Sequence, residues 1–140
     1  MMQAEKFEIL NPLRYAAAAM IATGGSMHLI GLARGISQGH SFPWWHWAIF
    51  IIAILGYTVS AFLILKNFRA GYYFTCLSPI GGWLLISGGF LWPDSGLLGL
   101  IPGTYGNEIT IIGFVTLTSE AIASAGAAFL ILNRVWEDAE

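Results

Sequence analysis

Charge is what this sequence has least of. Charged side chains make up 10% of its 140 residues against 56% hydrophobic ones, where a soluble domain carries about 25% charged residues. A chain so composed cannot face water on every side. Six basic and eight acidic residues leave a formal net charge of −2, which excludes the basic footprint of a nucleic-acid binder. Cys76 is the single cysteine, so neither a disulfide framework nor a thiolate metal cluster can form. Lying in an apolar stretch, it reads as a small buried hydrophobe. Catalytic signatures are missing as well: there is no HExxH, no CxxC, no glycine-rich phosphate loop after a strand, and no Ser-His-Asp arrangement with an evident scaffold.

Long apolar runs are what the chain has in abundance. A membrane span needs about 20 mostly apolar residues. Four stretches qualify, at about 13–32, 45–65, 72–92 and 109–132. Asn11 with Pro12 reads as the cap and first position of the first helix, and Ser41 with Pro43 opens the second in the same style. Pro93 stops the third. The first run is too long for the apolar part of a signal peptide and lacks a basic start and a small-residue cleavage site, so it reads as a retained helix. Short connections make consecutive spans antiparallel. The expected fold is therefore all-α: one membrane domain over 1–140, an up-down bundle of four transmembrane helices.

Basic residues orient it. Lys6, Arg14, Lys66, Arg69 and Arg134 fall on one side and only Arg34 on the other, which predicts both termini in the cytoplasm, with a prokaryotic inner membrane as the expected location. Trp44, Trp45 and Trp47 then anchor the outer end of the second helix and Trp92 that of the third, with Trp136 on the inner side. The tryptophan ring is apolar while its N–H wants water or a headgroup, so it prefers this depth. The connection at 93–107 is apolar, with Leu97, Leu98, Leu100, Ile101 and the lone charge Asp94. It suits the membrane surface or a neighbouring subunit.

Lipid gives helices no hydrophobic reason to associate, so small residues mark packed faces. Helical spacing puts Ala17, Ile21, Gly24, His28, Gly31 and Gly35 in one stripe of the first helix. Ala53, Gly56 and Ser60 share a face of the second, and the third is thin, with Ser78, Gly81, Gly82, Ser87, Gly88 and Gly89. Gly113, Thr116, Glu120, Ser124 and Ala127 align on the fourth. Such close packing leaves little room for an aqueous channel.

Two ionisable residues fall on these faces. Glu120 sits near the centre of its span, where an acid costs about 2.5–3.5 kcal/mol on insertion scales and normally has an interior role. It is expected either as an acid hydrogen-bonded to Thr116, Ser119 or a neighbouring helix, or as a site for proton transfer, ion binding or quinone contact. His28, with glycines one turn to either side, is either a hydrogen-bonded packing residue or a ligand to haem or chlorophyll. A metal site from His28, His40, His46, Asp94 and Glu108 is a weaker candidate, because the spacing matches no ligand pattern. Over the first helix alone, and on apolar and small residues alone, LRYAAAAMIATGGSMHLIG at 13–31 resembles the small DoxX-type membrane proteins, some of which accompany quinone-linked oxidoreductases. This is too little to assign the chain to that family.

Three functions are compatible with this pattern. The first is an accessory or structural subunit of a larger membrane complex, energy-converting or redox and linked to electron transport, with lipid and other membrane subunits as partners. The second is a small redox or pigment- or quinone-binding protein using His28 and Glu120. The third is a homo-oligomeric proton or ion transporter centred on Glu120.

Overall fold

The structure, a computed structural model, describes residues 2–37, 39, 41, 44–91 and 111–137, with side chains described for all of these except 2–7, 35, 45, 46, 49, 81–91, 111 and 112. It is all-helical: α1 (Met2–Ser37), α2 (Trp44–Leu65), α3 (Arg69–Leu91) and α4 (Ile111–Leu132). Two segments, Glu8–Arg34 in α1 and Gly113–Leu132 in α4, are long and apolar enough to cross a membrane.

Consecutive helices pack on each other, and α4 closes the ring against α1, so that α1 and α3 stand on a diagonal and barely touch. Side-chain contacts give the directions. His28 of α1 meets Tyr57 of α2 and Glu120 of α4, while Ala17 lies opposite Gly126. Ser60 meets Ser78, and Tyr72 packs with its ring tilted against Trp136 while Thr75 meets Ser124. In every neighbouring pair one register rises as the other falls, so all four contacts are antiparallel.

The start of α1 corrects the sequence reading. Asn11 and Pro12 do not open the helix; it begins at Met2 and carries Pro12 inside. The stretch MQAEKFEIL is rich in good helix formers, and Leu10 is anchored in the core with Ala17, Ile64, Tyr72 and Leu130. Pro12 forfeits only the bond to the carbonyl of Glu8, a residue exposed to solvent that can hydrate it. The third helix begins at Arg69, earlier than 72, and carries Pro79 inside. Here the freed carbonyl belongs to Thr75, and the Ser124 hydroxyl of α4 donates to it at 3.3 Å. An inter-helix bond thus occupies the acceptor that proline leaves open. Trp92, Pro93 and the connection at 93–107 lie outside the described residues.

Helices α2 and α4 end alike. Asn67 (φ 56°) and Arg134 (φ 49°) take the left-handed conformation just past the helix. Phe68 N donates to Leu63 O and Val135 N to Leu130 O, while Asn67 N donates to Ile64 O and Arg134 N to Ile131 O. This double bond pattern closes the last carbonyls of a helix, and Val135 and Leu130 are both fully buried in the same core layer.

Of the small-residue stripes, Ala53, Gly56 and Ser124 are half-buried. Ala17, Ile21, Gly24, His28 and Gly31 of α1 are buried, as are Gly113, Thr116, Glu120 and Ala127 of α4. The large side chains turn outward: Ile51, Ile52, Leu55, Val59 and Phe62 of α2, and Phe74, Leu77 and Ile80 of α3, are exposed.

Candidate functional site

The bundle brings together His28, Tyr57 and Glu120, one side chain from each of α1, α2 and α4. They are 3%, 2% and 0% exposed. His28 Nε2 lies 2.7 Å from Glu120 Oε1, and the Tyr57 hydroxyl donates to the same oxygen at 2.7 Å. Tyr57 Oη and His28 Nε2 are 3.2 Å apart. The two rings stack, with centroids 5.3 Å apart and planes at 22°, and the edge of Phe50 closes over His28 at 6.4 Å.

Glycines make this meeting possible. A Cβ on Gly24 would lie 2.7 Å from Glu120 Cγ, and one on Gly25 would lie 2.9 Å from Tyr57 Cβ. Both distances are too short for ordinary side-chain contact. The paired glycines let α4 and α2 press their functional side chains against the backbone of α1.

Hydrogen-bond roles follow from the geometry. Oε1 accepts from Tyr57, and a proton on His28 Nε2 also points at it. It is therefore the oxygen on which both partners converge, and a charge-assisted bond is the strong form of such a contact. Oε2 is buried and has no hydrogen-bond partner among the described residues. A proton carried by the carboxyl group therefore has its place on Oε2. The cluster offers two positions for protons, Nε2 and Oε2, on side chains buried among the described residues.

The expected partners of Glu120 sort themselves out. Ser119 donates instead to the carbonyl of Val115 at 2.6 Å. Thr116 is fully buried one turn before Glu120. Ser124, named with them from its helical stripe, stands apart: it ties α4 to α3 through Thr75, and its own carbonyl accepts from Cys76 Sγ at 3.6 Å. Gly24 and Gly31 are buried in α1, and Gly56 faces the Ser78 hydroxyl across α2 and α3. The surroundings of Gly35, Gly81 and Gly88 lie outside the described residues. Trp44 and Trp47 are exposed at the start of α2, while the side chain of Trp45, like Trp92, lies outside the description.

Cofactor chemistry has a clear constraint here. A haem or chlorophyll bound through His28 Nε2 would have to displace Glu120 from it. Of the weaker metal candidates, His40, Asp94, Glu108 and the side chain of His46 lie outside the described residues, and no group of three or more His, Cys, Asp or Glu gathers among those described.

Tyr57 is the member that sequence reasoning missed. It falls four residues after Ala53 and three before Ser60, on the face those residues define. That register was the available signal. Comparison with known proteins finds no matching family model, no matching curated protein and no matching solved structure.

Proposed function

We propose that this chain is a four-span integral membrane protein with both termini in the cytoplasm of a prokaryotic cell, and that it works as a proton-handling module centred on Glu120. Support for the membrane comes from the inside-out distribution of side chains. Ser60, Thr75, Thr116, Ser119 and Glu120 are buried while Ile52, Leu55, Phe62 and Leu77 are exposed. Water would penalise that exposed belt; lipid would not. Orientation draws on the gathering of Arg14, Lys66, Arg69 and Arg134 at the end where α2 turns into α3, with Arg34 at the other.

One observation carries the proton reading: a fully buried carboxylate receives histidine and tyrosine on one oxygen and, among the described residues, nothing on the other. A glutamate–histidine pair is neutral overall with either one shared proton or an ion pair, and it gains one charge when Oε2 takes a second proton. Ionisable groups inside membranes mark such relays. Proton uptake into liposomes under an imposed potential tests this. Glu120→Gln keeps the shape and a hydrogen-bonding oxygen but cannot ionise, so uptake is expected to stop. Uptake equal to that of the unaltered protein would end the reading.

The second reading is an accessory subunit of a larger energy-converting or redox membrane complex. The burial of the cluster favours it, since His28 and Glu120 are almost wholly covered by the described residues of one copy of the chain. Purification in mild detergent distinguishes the two. Large partner subunits that come down with the tagged protein, with activity indifferent to Glu120→Gln, would make the cluster a structural lock.

A further inference from the structure

We propose that the inner end of the bundle carries a binding site for the phosphate of an anionic phospholipid. A cavity of about 440 Å³ opens there between the start of α3 and the end of α4. Arg69 and Tyr73 line it from α3, Ile131 and Leu132 from α4, and Arg134, Trp136 and Glu137 from the turn that follows α4.

The Arg69 guanidinium is already in position. Its Cζ sits 5.6 Å from the ring centre of Tyr73 and 5.4 Å from that of Trp136. Stacking on two rings orients a planar guanidinium without consuming its donors. No carboxylate lies within ion-pair distance of Arg69 among the described residues. Arg134, held at the helix end by its left-handed turn, reaches only Glu137 at 3.5 Å, and both side chains are more than half exposed. An exposed pair of this kind is weak, so a phosphate can take Arg134 while Glu137 turns to water. Two arginine forks facing one cavity match phosphate geometry.

What lies beneath the arginines selects the source of the phosphate. Leu132 is 82% exposed, and Phe129, one turn earlier, is also exposed. A free phosphate has no use for that apolar wall, whereas a phospholipid lays its acyl chains along it. Tryptophan and tyrosine beside the arginines suit the headgroup depth. The inference rests on the membrane reading for the source of the phosphate and is independent of Glu120.

The test counts lipids retained by the purified full chain, using native mass spectrometry after exchange into nanodiscs of equal phosphatidylglycerol and phosphatidylcholine. Phosphatidylglycerol should be enriched. Arg69→Gln and Arg134→Gln should each lower that enrichment about tenfold, the worth of a charge-assisted hydrogen bond to the phosphate. Lys66→Gln is the control, because Lys66 lies at the same end over the Phe62 ring and outside the cavity. Its enrichment should stay unchanged, with helical circular dichroism constant throughout. Absence of enrichment, an equal loss in Lys66→Gln, or displacement of the lipid by excess inorganic phosphate would overturn the proposal. The last result would mean a free-phosphate site.

Discussion

Halfway along the bundle His28 meets a carboxylate, whereas Arg14, about four turns earlier on the same helix, meets none among the described residues. Both are buried. Arg14 donates from Nη2 to the Tyr15 hydroxyl at 3.1 Å and lies 4.8 Å from the centre of that ring. Its Nε, the Asn67 Nδ2 and the Asn11 Oδ1 have no hydrogen-bond partner among the described residues. Depth explains the contrast. Tyr15 is half exposed and Tyr72 takes a further hydrogen bond from Arg14, so hydroxyls meet the guanidinium near the end of the bundle, the usual exit for long cationic side chains. His28 has no such exit and must be matched where it stands.

Removing the match at His28 should be the most damaging of the changes that probe this contrast. Glu120→Ala leaves His28 and Tyr57 buried without their shared acceptor. Breaking a buried pair by deleting one partner costs about 3–5 kcal/mol. Unfolding in mixed micelles of neutral detergent and dodecyl sulfate, followed by helical circular dichroism, would measure it. A loss below about 1 kcal/mol, the size of an exposed pair, would mean that the cluster does not hold the helices.

A somewhat smaller effect is expected from Gly24→Ala, whose new Cβ would meet Glu120 Cγ at 2.7 Å. Overpacking of this kind costs about 1–3 kcal/mol. Gly126→Ala provides the comparison, since its Cβ would meet Ala17 Cβ at an ordinary 3.6 Å. The same micelle unfolding should find that variant near neutral. Equal losses at the two positions would place the sensitivity in α1–α4 packing as a whole and not at Glu120.

Tyr57→Phe sharpens the comparison further. It keeps the stacked ring and removes one of the two donors to Oε1. Hydrogen bonds between helices in a membrane are worth about 0.6 kcal/mol on average and about 1.7 at most, so a loss within that range is expected. A larger one would mean that Tyr57 and His28 act as a unit, which a double variant with His28→Ala would resolve by its departure from additivity.

How much of this was legible depends on which interactions are local. The helix count and the packed stripes follow from a period of 3.6 and the placement of small residues, and the burial of Ala17, Ile21, Gly24 and His28 agrees with them. Glu120 and His28 each stand out as ionisable groups in apolar runs. Their meeting does not, because nothing in the sequence fixes the rotation of α4 against α1. Tyr57 hides for a related reason: an aromatic in an apolar run looks lipid-facing until its neighbours are known. The opening of α1 misled because Asn-Pro is a helix-start signal in isolation, and it is overridden when Leu10 has a core to enter. The Thr75–Ser124 bond needed both the proline and the facing helix.

The smallest effect should come from the unmatched cation. Where a buried charge has no counter-charge, an apolar residue of similar volume is often as stable or more so. Arg14→Met keeps an unbranched stem in the buried position, gives up the bonds to Tyr15 and Tyr72, and removes the unpartnered Nε. The losses and gains are each about 1 kcal/mol, so the net change in unfolding should lie within about 1 kcal/mol of zero. A loss of about 3 kcal/mol, as at Glu120, would show that Arg14 has a counter-anion after all. Repeating the measurement in detergent with and without phosphatidylglycerol would then separate a lipid phosphate from a carboxylate of the chain itself. Only a lipid partner would make the loss depend on what is added.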